Sequence, residues 1–505
     1  MKNGIFIKLN KNKNMEYCVK SKVTNFRIKM FYFILVLMCF IKISRQNKII
    51  IVGKGECLLN INPTILSSVD SKCAPTDSKL KCNLGLSESS IEFPINTNTN
   101  VVSAHNMFKD CSSLTNIDLS NFVSTSLNET DGMFENCISL TTIKFSNFDV
   151  SNVLNMSHMF YNCSLLQSID FNDFANTVQN LLIDMSFMFF NCSSLAILDL
   201  GFSSTSKLKN MSNMFELCTN LKELTFSLNF DTSSVENMGN MLSNCINLNS
   251  VDLSKFEFGS VTSMNGMFRN CAKLKTIRFP QSATNSLINM GSMFQSCSSL
   301  DTIDLSTFDT SSVLFMNDLF HDCTSLKNII ISNFMTENVI KMESMFENCK
   351  SLINIDLNNF YTPSVRQMNN LFSGCTAAMS IDISKFDTFQ VTNFANIFYN
   401  CYSLQSISLL HFVTNMASDM SQMFFNCSKL EVLNLSNFNT ERVIKMNSMF
   451  QGCSSLSTLI LSNFQNTQVM DMSHIFEGCS ALKSLNLNSF YTISVKNMNS
   501  IFFQL

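Results

Sequence analysis

The sequence predicts an α/β solenoid of about fifteen stacked 26-residue strand-helix units with a parallel β-sheet, and three observations lead there. First, a cysteine returns in one context from Cys111 through Cys137, Cys163 and Cys192 to Cys479; twelve of its fourteen intervals are 26 residues, one is 27 and one is 29. A fixed period of this length marks a stacked repeat, in which each unit buries its apolar face against copies of itself. Second, the unit reads M-F-x-x-C-x-x-L-x-x-I-D-L-S-x-F-x-T-x-x-V-x-x-M-x-x, nearly whole from Met293 to Met316, and its hydrophobic period changes midway. Third, the stretch between successive strand patterns is long enough to act as a crossover, which makes neighbouring strands parallel.

Within a unit, the apolar residues Val339, Met342, Met345, Phe346, Cys349 and Leu352 fall at spacings of three, three, one, three and three. That spacing lines one face of a short helix. From Leu352 to Phe360 the pattern becomes L-x-x-I-x-L-x-x-F, with Ile355 and Leu357 turned to one side and Asp356 to the other, as in a strand. Phe stands three residues before the cysteine in fourteen of fifteen repeats, Leu242 being the departure, and eleven residues after it in twelve. Stacked neighbouring repeats should turn these columns into aromatic ladders. The cysteine column is expected to be buried and reduced, each thiol serving as a small core hydrophobe.

Residues 49–104 break the period and read as an N-terminal cap over the exposed core of the first repeat; the solenoid is expected over 105–505, ending in a partial repeat. The three cysteines of the cap segment, Cys57, Cys73 and Cys82, cannot pair completely among themselves, so one is either free or bonded to a neighbouring thiol. The chain stops at Leu505, where another repeat cysteine would fall; the half-repeat is either a C-terminal cap or part of a longer array.

Residues 1–48 carry eleven Lys or Arg against Glu16 alone, leaving about −13 for the remainder of a chain whose net charge is −3. The uninterrupted apolar run at 30–41, "MFYFILVLMCFI", is short for a bilayer span and suits the core of an export signal, either cleaved or kept as a membrane anchor. Charged residues make up only 14% of the chain and no basic tract crosses the array, so a nucleic-acid partner is not expected.

At the level of these residues the chain resembles the leucine-rich repeats of BspA-like surface proteins, in the variety called mycoplasma lipoprotein-associated repeats. The strings "MFENCKSLINIDLNNF" at 345–360 and "MFQGCSSLSTLILSNFQNTQVMDM" at 449–472 carry the likeness, which covers about 400 of 505 residues. The resemblance implies a secreted or cell-surface protein that binds protein, matrix or host-surface ligands, with no catalytic residues to carry over. It also implies that the strand face is the ligand surface. Local departures are Ala378 in place of Leu, Pro280 and Ser282 at the end of one strand unit, and an insertion near 178–183 expected to loop outward.

No enzyme, cofactor or metal is expected. The five histidines lie in different repeats and none is spaced to share a metal with another; thirteen glycines leave little material for a phosphate loop. Sequons at Asn128, Asn155, Asn162, Asn191, Asn210, Asn426 and Asn434 include three that read Asn-Cys-Ser inside the repeat, where the repeat itself explains the asparagine. The outward residue of the strand is Asp in seven repeats: Asp118, Asp170, Asp199, Asp252, Asp304, Asp356 and Asp382. This row is the candidate ligand site, with a plainly solvated strand face as the alternative. A calcium row is disfavoured, since neutral and basic residues interrupt it and no glycine-rich ion loop accompanies it. The resulting expectation is an exported binding or adhesion protein, with an intracellular leucine-rich-repeat interaction scaffold as its rival.

Overall fold

The structure is a computed structural model that describes residues 48–505 apart from 55, 62, 64–65, 77–78, 86, 95–100, 123–124, 146–147, 172–180 and 203. Residues 1–47 with their apolar run, and residues 178–180 of the insertion, lie outside the described residues.

The chain winds into a β-solenoid with the expected spacing of about 26 residues. Its strands are β1 (Lys48–Gly53), β2 (Glu56–Leu59), β3 (Cys73–Thr76), β4 (Lys79–Asn83), β5 (Ser89–Pro94), β6 (Leu114–Asn121), β7 (Thr142–Lys144), β8 (Ile197–Leu200), β9 (Glu223–Phe226), β10 (Ser250–Asp252), β11 (Thr276–Arg278), β12 (Thr302–Asp304), β13 (Asn328–Ile330), β14 (Val432–Asn434) and β15 (Thr458–Ile460). From β6 onward the strands pair in parallel two by two, β6 with β7, β8 with β9, β10 with β11, β12 with β13 and β14 with β15, as in Thr302↔Asn328, Ile303↔Ile329 and Asp304↔Ile330. A second parallel ladder of single bridges runs up another side, from Ser103↔Glu129 to Asp471↔Asn497.

The strand-helix unit is corrected by the structure: among the described residues there is no helix. Where the helix was expected, each coil makes a run of turns with two left-handed residues, five positions and one position before the cysteine. Ser344 (φ 56°) and Asn348 (φ 58°) are one such pair, and Asn396 and Asn400 another. An α-helix needs consecutive right-handed residues, so a left-handed one every fourth position stops it. The peptide planes then alternate. The N–H groups of Ser344, Phe346 and Asn348 donate to Asn369, Leu371 and Ser373 of the next coil, whereas those of Glu347, Cys349 and Leu352 turn back to Ser344, Phe346 and Cys349. Half of the backbone donors thus bind coil to coil, and the others close the turns.

The interior is a set of columns. Phe108 stacks on Phe134 at 5.4 Å, Phe134 on Phe160 at 5.3 Å, and the series resumes beyond Leu242 from Phe268 to Phe476. A second ladder includes Phe334 on Phe360 at 6.3 Å and Phe438 on Phe464 at 6.4 Å. From Cys137 to Cys479 every repeat cysteine is buried and free, and its Sγ–H donates to the carbonyl of the Phe, or Leu242, of the preceding coil at 3.1–3.2 Å.

A buried threonine column is the polar part of this interior. Thr310 Oγ1 donates to the Met335 carbonyl at 2.9 Å and accepts the Met335 N–H at 2.7 Å; Thr388 does the same with Val413, and Thr414 with Asn439. One hydroxyl therefore satisfies both backbone groups of the facing residue. Thr310→Val keeps the shape and orphans both, so it should cost about 1–3 kcal/mol, read as a lower denaturant midpoint at constant slope. An unchanged midpoint would mean that water replaces the hydroxyl.

At the N-terminal end β1 pairs antiparallel with β5 and with β6, so it lies along the first coil, and β2, β4 and β3 form a separate antiparallel sheet. Cys73 bonds to Cys82 within that sheet. Cys57 reaches Cys111, which leaves the cysteine column at its first member and ties this segment to the first repeat.

Candidate functional site

Asn and Asp side chains turn the corners of each coil. Asp309 Oδ1 accepts the Ser311 N–H at 2.9 Å at one corner, and Asn289 Oδ1 accepts the Gly291 N–H at 3.0 Å at another. These local bonds replace main-chain partners that a sharp turn leaves open. The outward strand row sits at a third corner.

Six members of that row, Asp170, Asp199, Asp252, Asp304, Asp356 and Asp382, are exposed on one face of the solenoid; Asp118 is half-covered because β1 pairs across it, with Ile50 opposite. Along the stack the row is interrupted, since Asp118 stands beside Lys144, Asp199 beside Thr225, Asp252 beside Arg278 and Asp304 beside Ile330. Arg278 lies 3.5 Å from Asp252, and the Thr225 hydroxyl donates to Asp199 at 2.8 Å.

The same carboxylates have a second partner that sequence reasoning missed. Oδ1 of Asp118, Asp252, Asp304, Asp356 and Asp382 accepts the backbone N–H two residues on, at 2.9–3.2 Å, and Asn434 and Asn486 make the same bond. The Ser306 hydroxyl and amide hold the Asp304 carboxyl below the usual range, and Ser254 and Ser384 do so for Asp252 and Asp382. The signal was present as Asp or Asn followed two residues on by Ser or Asn. Five of the seven carboxylates thus form turns at the strand ends, and the second oxygen of Asp252 lies beside Arg278.

The face is concave around β11, β12 and β13, where a cleft of about 590 Å³ is bordered by Lys275, Ile277, Phe279, Asp304, Asn328 and Ile330. Its origin is local: Ser282 stands where twelve repeats place the ladder Phe, and Pro280 follows the strand. Ile277 and Phe279 are consequently only half-buried, whereas Ile303 and Leu305, their equivalents in the next coil, are buried.

The turn side holds the other polar features. His321 lies between Asp318, at 3.3 Å, and Asp322, at 3.5 Å, and the hydrogen bond that its ring N–H donates to Asp318 raises its pKa. Among the described residues no three His, Cys, Asp or Glu side chains are arranged to hold a metal ion. Asn162, Asn191 and Asn426 occupy the left-handed position before the cysteine, and each donates through Nδ2 to the equivalent Asn of the preceding coil at 2.7–3.1 Å. These three sequon asparagines form part of an inter-coil ladder.

Residues 90–181, 183–298, 280–352, 316–432 and 418–505 match the model of a family described as "Mycoplasma protein of unknown function, DUF285". No curated protein matches the chain. Among solved structures, a leucine-rich repeat protein from Bacteroides ovatus is similar at 16% identity, with 85% of this chain and 90% of that one covered and a TM-score of 0.41. One from Eubacterium ventriosum is similar at 13% identity, with coverages of 89% and 95% and a TM-score of 0.28. The Toll–Spatzle complex of Drosophila is matched at 16% identity over 72% of this chain, which spans 46% of that one, with a TM-score of 0.27.

Proposed function

We propose, from the premise that the chain belongs to the Mycoplasma DUF285 family and is built of leucine-rich-repeat-like coils, that it is a non-enzymatic protein-binding scaffold whose strand face receives the partner. One observation carries this reading: inward positions repeat the same residues coil after coil, while the outward strand position varies among Asp, Lys, Thr, Arg, Ile, Ser and Asn. A constant interior holds an extended face whose side chains do not repeat, and such concave or extended faces are how stacked-repeat proteins bind.

We place the protein outside the cell, displayed or secreted, as an adhesion surface. The basic leader with its apolar run and the two disulfides of the N-terminal segment support this. The fourteen reduced repeat thiols are compatible with the rival, an intracellular scaffold. Sequencing the N-terminus of the mature protein separates the two: loss of roughly the first 45 residues requires export, and retention of Met1 on a cytosolic protein overturns it.

The face is tested with immobilised fibronectin, laminin and collagen as probes. Asp304→Asn, Asp356→Asn and Asp382→Asn together keep the strand-ending turn, because Asn accepts the same N–H, and remove three charges. Binding to the retained probe should fall several-fold while melting temperature holds, since each exposed change is worth less than about 0.5 kcal/mol. A turn-side pair, Glu347→Gln with Glu477→Gln, is the control. If the control abolishes binding and the Asp set is silent, the partner sits on the other side.

A further inference from the structure

The turn-side column two residues before the cysteine joins coils through ion pairs. Lys109 Nζ lies 2.9 Å from Glu135 of the following coil, and Arg269 lies 3.7 Å from Glu216. Lysine and arginine are charged throughout the neutral range. His321 occupies the same column one coil before Glu347, and it is the one cationic member of a residue type that titrates between about pH 5 and 8.

Its surroundings are acidic in two coils. In its own coil, His321 Nδ1 lies 3.3 Å from Asp318 and Nε2 lies 3.5 Å from Asp322. From the next coil the charge of Glu347 acts on His321, and Glu343 stands against Asp318. The backbone brings these groups together, because the Asp318 N–H donates to the Glu343 carbonyl at 3.0 Å and the Asp322 N–H to the Glu347 carbonyl at 2.8 Å. Asn317 and Asn348 each donate to one oxygen of Asp318 and Asp322 but bring no charge. The preceding coil adds none either: Ser292, Gln295 and Ser296 stand there, and the Ser296 N–H donates to the His321 carbonyl at 2.7 Å. Lys341 of the next coil lies 6.0 Å from the centre of the Phe315 ring and acts on Glu343, Lys350 stands beyond Cys349, and Lys327 belongs to the strand side. Among the described residues His321 is the only cation within 4.0 Å of Asp318 or Asp322.

We propose that His321 is a pH-sensitive clamp between two coils: protonated, it attracts carboxylates of both and holds the contact closed, and neutral, it leaves like charges facing each other and the contact loosens. Acid closes it. The hydrogen bond to Asp318 raises the His321 pKa above its ordinary 6.5 against the effect of burial, and Asp322 and Glu347 raise it further. A raised folded-state value means that the clamp is complete below about pH 6.5 and is lost as pH rises through the higher value of the folded protein. The clamped turns lie between Asp304 and Asp356 in the chain, so the middle of the strand face rests on coils that are tied in mild acid and freer above it.

The test follows hydrogen exchange at the Asp318 and Asp322 amides, corrected for the intrinsic rate, from about pH 5.5 to about pH 8.5, a range below the ordinary thiol value of 9.0. Protection should fall several-fold in the unsubstituted protein as pH rises. His321→Lys, which installs the fixed cation of the Lys109 site, should keep the high protection throughout, and His321→Gln should show the low protection throughout. Asp318→Asn should move the midpoint to lower pH, and the His321 imidazole, identified by the NMR signal that both His321 variants lack, should titrate at that midpoint. Circular dichroism and the protection of amides near Cys163 should match in every variant. A pH dependence that survives in His321→Gln belongs to another group and overturns the proposal. Low protection in His321→Lys also overturns it, since the imidazole would then be a packing element only. If either His321 variant fails the folding check, the Asp318→Asn midpoint decides alone: unmoved, it overturns the clamp.

Discussion

Raising the pH from about 8 to about 10 is expected to unfold the solenoid. Fourteen repeat thiols are buried, and burial pushes each one up from the ordinary value of 9.0; Cys218, Cys271, Cys323 and Cys401 rise to about 12. Below pH 9 the thiols are protonated in the folded and unfolded chains alike and contribute no pH dependence. Between about 9 and 12 the unfolded chain releases protons that the folded chain keeps, so stability falls as pH rises. The loss approaches roughly 1.4 kcal/mol per thiol per pH unit. Summed over the column this is on the order of 20 kcal/mol at one unit above the ordinary value, more than the net stability of a typical domain, about 5–15 kcal/mol. Thiolate absorbance should therefore appear in the same step as the loss of circular dichroism. At neutral pH the repeat thiols should resist a disulfide reagent until denaturant is added. A folded protein with titrated thiols would show that the column is reached by solvent.

Much of this architecture is legible in the sequence, and the parts that are not have a common cause. The 26-residue period, the strand half and the aromatic ladders follow from where apolar residues stand, as in Ile355, Leu357 and Phe360. The turn half is misread because Met345, Phe346, Cys349 and Leu352 satisfy a helix face and a succession of three-residue turns equally well. What separates the two is a backbone requirement. Asn, Asp, Ser or Gly precedes the cysteine in fourteen of fifteen repeats, Leu217 being the departure, and all of these positions have positive φ. Such residues enter the left-handed region at least cost, and hydrophobic periodicity carries no trace of that. The strand-face Asp row is legible as an outward column, but its work in ending the strand shows only when Asp304 is read together with Ser306. The bond from Cys57 to Cys111 was open on sequence because the column gives no reason for its first member to differ. The reason is spatial: β1 and β2 lie against the first coil.

Phe346→Ala should be the most damaging single core truncation in the middle of the array and should loosen it locally. The ring is 1% exposed and stacks at 5.7 Å on Phe320 below and at 5.7 Å on Phe372 above. Truncating a buried Phe costs about 3–5 kcal/mol, with the upper end reached when the surroundings cannot close the cavity. Here they are held apart. Phe346 N–H donates to Leu371 and its carbonyl accepts the Cys349 N–H, so the coil spacing is set by backbone bonds that the substitution leaves in place. Leu242 gives the internal calibration: an aliphatic side chain already occupies this column and is fully buried there. Phe346→Leu, which removes only part of the ring's volume, should accordingly cost less than Phe346→Ala. Because each coil touches only its neighbours, the lost stability should stay near the cavity. Hydrogen exchange should accelerate first at the amides of Phe320, Phe346 and Asn348, which bond coil to coil, while the coils around Cys163 and Cys453 keep their protection. Uniform acceleration along the chain would mean that the stack unfolds as one cooperative unit, and the nearest-neighbour account of its stability would have to be given up.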